Sequence, residues 1–318
     1  MKTPLLFMIF NRPEPTWRVF AEIRKARPEK LFIAADGPRL DRPENIEKCR
    51  QAREIIKKID WPCEVKTLFR EKNLGCKFGA STAITWFFEN VEEGIILEDD
   101  CLPDQSFFRF CAEMLEHFRD NTKISMISGC NESQATPSPY SYIYSRYGHL
   151  WGWASWRHVW NQYDVTMKIW ASRKNRRLIK KAINDKYMWN YRVWHYIETY
   201  EGRKDTWDYQ WETYRLLHHQ YAVIPTKNMI HNLGFGPEAT HTIQTSSYLI
   251  MPRQSVEFPL KHNPEIVPND AYDQTLRPRV PAYNIYMRRF RTIIKQFCRL
   301  VFPSHIFEAI LRNVHNKL

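Results

Sequence analysis

Three consecutive carboxylates, Glu98-Asp99-Asp100, are the residues whose types and spacing point most directly to chemistry. They follow the apolar run Gly94-Ile95-Ile96-Leu97, which predicts a strand buried on both faces. Like charges this close together repel, so the arrangement is costly unless a cation neutralises it. Carboxylates suit Mn²⁺ or Mg²⁺, whose remaining coordination positions a diphosphate can fill. The alternative interpretation is a solvated acidic loop that caps the helix predicted around Phe107.

Polar residues also follow the three preceding predicted strands. They are Asn11-Arg12-Pro13 after the first strand, Asp36-Gly37-Pro38 after the second, and Arg70 with Asn73-Leu74-Gly75 after the third. In an open parallel sheet, ligands bind at the carboxyl ends of the strands, where loops and helix N-termini converge. Each group alone is a weak signal, since such residues are common in turns. Together with the acidic triplet they predict one ligand site along one edge of a sheet.

The elements that would position these residues form an alternating pattern in the first 130 residues. Short apolar runs alternate with apolar residues at helical spacing, as in a parallel sheet covered by helices. The predicted strands are Pro4–Phe10, Lys30–Ala35, Glu64–Phe69, Gly94–Leu97 and Lys123–Ser128. From about Tyr140 the sequence becomes rich in Trp and Tyr, and we expect this part to form an acceptor-side region on the same sheet. The predicted fold class is therefore α/β, with a mostly parallel central sheet flanked by helices.

Composition limits the class of protein without choosing the ligand. Lys and Arg exceed Asp and Glu by 47 − 35 = 12, so the surface should attract nucleic acid, anionic lipid or nucleotide phosphate. The seven cysteines contain no Cys-x-x-Cys pair, which disfavours a disulfide framework or a zinc site and favours a reducing cytoplasm. No run approaches the roughly 20 apolar residues that cross a bilayer. The 12 Trp, 16 Tyr and 18 Phe suit either sugar binding or a large aromatic core.

The order of these motifs resembles the GT-A fold glycosyltransferases, whose acidic metal motif is usually written Asp-x-Asp. Glu98-Asp99-Asp100, with Asn11-Arg12-Pro13 upstream, is similar to the inverting N-acetylglucosaminyltransferase of the Golgi and to bacterial family two-like or haemolysin-like transferases. The resemblance covers roughly residues 4–242. It implies a GT-A type fold for nucleotide-diphosphate sugars and a metal-dependent hexosyltransferase, with Mn²⁺ or Mg²⁺ as cofactor and UDP as the expected nucleotide.

The resemblance also implies roles for individual residues of the donor site. Asn11, Arg12 and Pro13 would line the nucleotide. Asp36 would hydrogen-bond the base, and Arg70, near Asn73, would approach the base or the phosphates. Glu98 and Asp99 would contact the ribose or the donor sugar, and Asp100 would bind the metal.

Similar transferases carry their catalytic base near a helix start, where this chain has a second acidic cluster, residues 205–212. In an inverting reaction one carboxylate deprotonates the acceptor hydroxyl as it attacks the anomeric carbon. Asp208 is the first candidate, between Trp207 and Trp211 that would hold a sugar face, and Glu212 is the second. The alternative is that Asp208 only caps a helix and the tryptophans belong to the core.

Two further segments resemble parts of the donor site. The run Gly148–Ala154 contains Trp151, Gly152 and Trp153 and is similar to a loop that approaches the donor sugar, although its aromatic residues would also suit a core. Downstream, His231 and His241 stand where GT-A enzymes often supply a histidine to the metal or the diphosphate. A lone histidine is more often structural, so both remain candidates.

The predicted division is a catalytic domain over residues 1–245, with a nucleotide-binding half (1–130) and an acceptor-side half (131–245). An irregular surface segment (246–281) and basic amphipathic C-terminal helices (282–318) follow. The helices predict contact with an anionic membrane from the cytoplasmic side. The alternative is a helix docked on the domain with a solvated basic face. The predicted function is transfer of a sugar from a nucleotide-diphosphate sugar to a glycan or glycolipid acceptor in surface polysaccharide assembly.

Two other functions compete with this prediction. A nucleic-acid-binding protein would explain the positive charge and the aromatics, but not the buried acidic triplet. A non-catalytic carbohydrate-binding protein would explain the tryptophans only. A nucleotidyltransferase is disfavoured because Asn11-Arg12-Pro13-Glu14-Pro15 lacks a Gly- and Lys-rich phosphate loop.

Overall fold

The computed structural model describes residues 1–133, 137–234 and 252–277. His241 and the predicted C-terminal helices (282–318) lie outside the described residues. None of the helices within these ranges is long and apolar enough to cross a membrane. The six cysteines in the described part of the chain are all free thiols.

The described strands form one large sheet and one small one. The large sheet has eight strands and the small one has two. The strands are β1 (Leu5–Ile9), β2 (Lys30–Ala35), β3 (Glu64–Phe69), β4 (Glu93–Glu98), β5 (Cys101–Pro103), β6 (Ile124–Ser128), β7 (Tyr142–Ser145), β8 (Trp153–Trp156), β9 (Tyr221–Pro225) and β10 (Ile230–Asn232).

Nine α-helices lie in the described ranges. They are α1 (Pro13–Ala26), α2 (Glu44–Arg53), α3 (Gly75–Asn90), α4 (Gln105–Phe118), α5 (Arg157–Trp160), α6 (Arg173–Ile183), α7 (Lys186–Tyr200), α8 (Asp208–Leu217) and α9 (Asp270–Thr275). Two 3₁₀ helices are also present: Glu54–Lys58 follows α2, and Lys168–Ala171 lies between α5 and α6. The predicted α/β class, a central sheet flanked by helices, is confirmed.

Strand order places a topological switch point between β1 and β4. The strand order of the large sheet is β3-β2-β1-β4-β8-β6-β9-β7. Strands β2 and β3 are added on one side of β1, and β4 and the later strands of this sheet lie on its other side. The pairings β3-β2, β2-β1 and β1-β4 are all parallel. Ligands of open α/β sheets bind beyond the carboxyl ends of the strands at such a point. The end of β1 and the end of β4 therefore define where a site is expected.

The sheet is less parallel than the sequence predicts. Strand β8 runs antiparallel to both β4 and β6, and β7 runs antiparallel to β9. Among the seven pairings of the described strands in the large sheet, four are parallel and three antiparallel. Both kinds of inner strand are apolar because helices cover the sheet, so burial alone does not encode direction.

Many aromatic residues in the described part of the second half belong to the core. Trp153 of β8 is fully buried and stacks on Trp207 with ring centroids 5.9 Å apart, and Trp160 packs against Trp211 at 5.2 Å. A second, smaller core lies among α6, α7 and α8. The core interpretation of these tryptophans is thus the correct one, and the predicted sugar-holding role of Trp207 and Trp211 is wrong.

The segment predicted to be irregular on the surface is partly structured. Its described part, residues 252–277, contains α9, and Tyr272 of this helix is fully buried. Asp273 accepts hydrogen bonds from Ser145 Oγ and from Arg146 Nη1, the latter at 2.8 Å. These contacts fix α9 against the end of β7 and bring Thr275 to the cleft described below.

Candidate active-site cleft

A cleft of about 810 Å³ opens at the carboxyl ends of β1, β2 and β4. Its position coincides with the switch point of the sheet, where a ligand is expected. Many of the residues predicted from the sequence line it: Arg12, Asp36, Arg70, Asn73, Glu98, Asp99, Asp100, Trp151 and Asp208. The fold therefore brings together side chains that are nearly 200 residues apart in the chain.

Arg12 is the cation that neutralises the acidic triplet in this structure. Its Nη1 atom donates to Asp100 Oδ2 at 2.9 Å, and its Nη2 atom donates to Asp99 Oδ1. The backbone amide of Phe10 donates to the other oxygen of Asp99 at 3.1 Å. Because the guanidinium contacts two carboxylates at once, it offsets part of their mutual repulsion.

Chain geometry explains why Arg12 meets these carboxylates. In the parallel register of β1 and β4, Met8 is opposite Glu98. The next residues on both strands therefore leave the sheet side by side. Only three residues separate the end of β1 from the start of α1, so Arg12 is held at the helix N-terminus directly above Asp99 and Asp100.

The N-terminus of α1 is a poor anion-binding site in spite of its position. Pro13 and Pro15 lie in its first turn and have no amide hydrogen to donate. Pro13 itself does not line the cleft, and Asn11 directs its Nδ2 group to Asn45 Oδ1. Of the predicted Asn11-Arg12-Pro13 group, only Arg12 lines the cleft. The first turn of α1 therefore offers fewer backbone donors to an anion, and the Arg12 side chain is the donor that lines the cleft there.

Burial shapes the protonation of the triplet. Burial raises the pKa of Glu98 to about 8, and the neighbouring Asp100 and Asp99 charges contribute to this rise. Burial also raises the pKa of Asp99 to about 6, against the lowering effect of Arg12. The neutral form of Glu98 is thus favoured at neutral pH, where it can donate a hydrogen bond to a ligand.

Asp36 supports the cleft wall through backbone contacts. Its oxygens accept from Leu74 N at 3.0 Å and from Asn73 Nδ2 at 3.0 Å, so they tie the end of β2 to the start of α3. A Cβ atom at Gly37 would lie 2.3 Å from the backbone of Lys72, so only glycine allows this close approach. The predicted contact of Asp36 with a base would have to share these oxygens.

Two cations stand near this end of the cleft. Arg70 donates to Thr82 Oγ1 at 2.6 Å, and burial lowers its pKa from the usual value for arginine. Arg39 lies over the Phe10 ring, 5.4 Å from its centroid, and forms no ion pair with the described residues. The sequence reasoning missed Arg39 and Phe10, although both adjoin motifs that it singled out. Together they offer charge and an aromatic face to an anionic, planar ligand.

Asp205 binds the start of α3 from the segment that precedes α8. Its carboxylate accepts the backbone amides of Cys76 and Lys77, both at 2.9 Å, at the N-terminus of α3. The residue preceding α3, Leu74, provides no side-chain cap. Asp205 therefore caps this helix from 129 residues away and fixes the segment that carries Asp208.

Replacing Asp205 with Ala is expected to lower the free energy of unfolding by about 1 kcal/mol, because two helix amides lose their acceptor. Urea unfolding followed by circular dichroism measures this effect. Asp41→Ala, at an exposed position outside any helix, is the matched control. Equal stability of the two variants would contradict the capping role.

The two predicted catalytic carboxylates have different surroundings. Asp208 begins α8, lines the cleft and accepts from Thr206 Oγ1 and from Tyr209 N. Glu212 does not line the cleft; it accepts from Arg192 Nη1 and from the Tyr196 hydroxyl. Glu212 is thus committed to a buried ion pair, and Asp208 is the carboxylate available to a ligand.

Several predicted site residues lie elsewhere. Trp153 is a core residue, and a Cβ atom at Gly152 would lie 2.6 Å from Ile230 Cδ1, so this glycine serves close packing. His231 pairs with Leu102 in the small sheet, whereas its neighbour Asn232 lines the cleft. Because successive strand residues point to opposite faces, His231 is directed away from that side. Of the predicted site residues Trp151, Gly152 and Trp153, only Trp151 lines the cleft, together with His149 of the same run.

A metal would have few protein ligands in this cleft. The described residues contain no group of three His, Cys, Asp or Glu side chains arranged to hold an ion. Asp100 Oδ2 accepts from Arg12, while Oδ1 accepts only a weak bond from Cys101 Sγ at 3.4 Å. This donor set fits an ion bound through one carboxylate and through ligand phosphates, an arrangement typical of Mg²⁺. It does not fit a metal held by the described protein side chains alone.

The far end of the cleft consists of residues that the sequence reasoning did not select. Arg192 and Tyr191 of α7 line it, together with His149, whose Nδ1 atom lies 2.9 Å from a Glu132 oxygen. Their contribution follows from the packing of α7 across the cleft. No motif in the sequence links these residues.

Comparisons with known proteins complete this description. No protein-family model matches the chain, and no curated protein matches it. Among solved structures, HddC from Yersinia pseudotuberculosis is similar over 51% of this chain and 81% of its own, with 9% identity and a TM-score of 0.32. Mouse xyloside xylosyltransferase 1 is similar over 51% of this chain and 69% of its own, with 12% identity and a TM-score of 0.30. A cytidylyltransferase from Leptospira borgpetersenii is similar over 52% of this chain and 64% of its own, with 12% identity and a TM-score of 0.31.

Proposed function

We propose that this chain is a glycosyltransferase that uses a nucleotide-diphosphate sugar. The observation that carries the proposal is one cleft at the β1-β4 switch point with two walls of different chemistry. One wall contains the acidic triplet with Arg12, and the other contains Asp208 at the start of α8. A cation-neutralised carboxylate cluster suits a diphosphate leaving group, and a separate carboxylate suits activation of an acceptor hydroxyl.

The donor half is proposed to lie between Arg70 and Asp100. Phe10 and Arg39 offer an aromatic face and a positive charge to the nucleoside, and Arg12 offers charge to the diphosphate. Glu98, which lines the cleft beside these groups, would contact a sugar or ribose oxygen. A Mn²⁺ or Mg²⁺ ion bound by Asp100 would supply further positive charge to the leaving diphosphate.

The chemical step is proposed to depend on Asp208. Its carboxylate would accept the proton of an acceptor hydroxyl while that oxygen attacks the anomeric carbon. The bond from the anomeric carbon to the phosphate oxygen breaks, and the nucleoside diphosphate leaves with the electron pair. Attack opposite the leaving group inverts the anomeric centre. Thr206 and the Tyr209 amide would keep the Asp208 oxygens oriented.

The acceptor is proposed to be a glycan or a glycolipid. Trp151, Tyr191 and Tyr209 line the same cleft and present aromatic surface, to which sugar rings pack well. Assembly of a surface polysaccharide is the proposed setting. The hexosyl class of the transferred sugar and uridine as the nucleoside are parts of this proposal.

Thermal stability in the presence of nucleotides tests the donor site. A ligand that binds only the folded state adds about 2.7 kcal/mol at a hundredfold excess over its Kd. We expect one nucleoside diphosphate, UDP in the proposal, to raise the Tm of the wild type, and Mn²⁺ to enhance the shift. Asp100→Ala should lose the enhancement by metal, whereas the exposed control Asp120→Ala should keep it.

Two outcomes would count against this function. If no nucleoside diphosphate changes the Tm with or without metal, the cleft does not bind a nucleotide-sugar donor. If the shift is the same in Asp100→Ala and in wild type, the metal part of the proposal fails while nucleotide binding stands. Release of free UDP from a UDP-sugar only when an acceptor glycan is added would support the transfer step.

A further inference from the structure

Helix α6 carries a concentration of positive charge without any acidic residue. Six of its eleven residues are basic, and residues 171–184 contain no Asp or Glu. All but one of these basic residues are exposed: Arg173, Lys174, Arg177, Lys180 and Lys181. None of the six forms an ion pair with the described residues. Some other surface cations, such as Arg24, Arg50 and Arg119, each pair with a carboxylate.

Helical periodicity places these charges on one face. At 100° per residue, Ile179 and Ile183 point inward and are buried in the second core. Lys174, Arg177 and Lys181 lie on the opposite side at spacings of three and four residues. We call the stripe formed by these three residues the α6 basic face. Leu178 lies beside it with 36% of its surface exposed.

Several charges of this helix oppose its stability, although Lys180 and Lys181 in the last turn are favourable to the helix dipole. Arg173 and Lys174 occupy the first turn, where the helix dipole is positive and cations are unfavourable. Lys174, Arg177 and Lys181 also repel one another as neighbours on one face. The helix is nevertheless anchored, because Ser172 accepts from Asn175 N and the buried isoleucines pack on Trp170 and Leu216. The α6 basic face is therefore held in a fixed position. The repulsion among its charges destabilises the helix, and folding does not require it.

We propose that the α6 basic face docks on a bilayer surface that contains anionic phospholipids. Charge complementarity carries the choice, because unpaired Lys and Arg are attracted to the negative surface potential of such a bilayer. The exposed Leu178 beside the stripe suits the headgroup boundary. A single-stranded nucleic acid is a poorer fit, since its sites combine a positive groove with aromatic platforms and α6 contains no aromatic residue. No α6 residue lines the cleft, so this docking does not depend on the proposed transferase activity.

Vesicle co-sedimentation of the full chain tests the proposal. Wild type should bind vesicles that contain phosphatidylglycerol and should dissociate from them at high salt. It should not bind vesicles of phosphatidylcholine alone. The triple variant Lys174→Gln, Arg177→Gln, Lys181→Gln should bind the anionic vesicles at least about tenfold more weakly. The matched control is Arg42→Gln, Lys48→Gln, Lys58→Gln, which removes three exposed charges at a different surface and should bind as wild type does.

A second variant distinguishes a loss of positive charge from an effect of the substitutions on folding. Lys174→Arg, Arg177→Lys, Lys181→Arg preserves the charge of α6 and should retain binding to anionic vesicles. Equal binding of wild type to neutral and anionic vesicles would overturn the proposal, even if the glutamine variant does not fold. Equal losses in both glutamine variants would overturn it too, because net charge rather than α6 would then be responsible. Displacement of the protein from vesicles by equimolar oligonucleotide would instead assign this face to nucleic acid.

Discussion

Replacing Asp208 with Asn is expected to lower kcat by about 10²- to 10⁴-fold, because an amide cannot accept the proton of the acceptor hydroxyl. Asn fills the same volume and can still accept from Thr206 and Tyr209, so the start of α8 should remain intact. Donor binding should change little, since Asp208 is proposed to act on the acceptor. Release of nucleoside diphosphate in the presence of acceptor measures kcat, and the Tm shift with UDP measures donor binding.

Glu212→Gln is the comparison that distinguishes the two candidate bases. Glu212 is paired with Arg192 and Tyr196 and does not line the cleft. Its loss should therefore lower thermal stability, because the buried Arg192 charge loses its counter-ion. At temperatures where this variant is folded, it should retain most of its kcat. A loss of activity in Glu212→Gln with normal turnover by Asp208→Asn would reverse the assignment.

Replacing Arg12 with Met is expected to lower the free energy of unfolding by about 3–5 kcal/mol in metal-free buffer at neutral pH. The reason is that Asp99 and Asp100 lose the guanidinium that bridges them. Urea unfolding measures the change. Arg119→Met is the matched control, because it breaks an exposed pair with Glu93 and should cost no more than about 1 kcal/mol.

The loss of unfolding free energy in Arg12→Met should be larger at high pH than at low pH. Burial already raises the pKa of Asp99 to about 6, and Arg12 is the main influence that lowers it. Without Arg12 this pKa should rise further above its unfolded value. A carboxylate with a raised folded pKa destabilises the protein when ionised, so the deficit is largest above the raised pKa. It should shrink as the pH falls from this raised pKa towards about 6, the pKa of Asp99 when Arg12 is present, and should be small below that pH.

Metal provides a second test on the same variant. If Asp100 binds a divalent cation, Mn²⁺ should restore part of the stability lost in Arg12→Met, because the ion replaces the missing positive charge. The control Arg119→Met should show no such recovery. A pH-independent deficit, or a variant as stable as wild type, would mean that Arg12 does not neutralise the triplet.

The first half of the fold could be predicted from the sequence because local patterns encode it. The observed bounds of β2 and β3 equal the predicted ones. Those of β1 and β4 differ by one residue at each end, and β6 starts one residue later than predicted. Buried parallel strands appear as continuous apolar runs, and the covering helices repeat apolar residues every three or four positions. Polar residues after such strands must share one edge of the sheet, which is why strand ends alone are enough to group Arg12, Asp36 and Asp100.

The second half depends on contacts that local patterns do not record. Apolar runs predict burial but not direction, so the antiparallel β8 and the core position of Trp153 required the folded chain. Asp208 and Glu212 lie one helical turn apart, and the sequence offers Asp208 as the first candidate base and Glu212 as the second. The packing of α7 beside α8 gives Glu212 a buried arginine and leaves Asp208 in the cleft.

The sequence by itself thus determined the α/β class, the acidic triplet and the edge of the sheet where it lies, because strand periodicity and strand ends are local properties of the chain. Only the tertiary structure decided which cation meets the triplet, which carboxylate faces the cleft and how Asp205 caps α3. The contacts of Arg12 with Asp100 and of Asp205 with Cys76 span 88 and 129 residues. They arise from the packing of distant elements, for which neither spacing nor composition carries a signal.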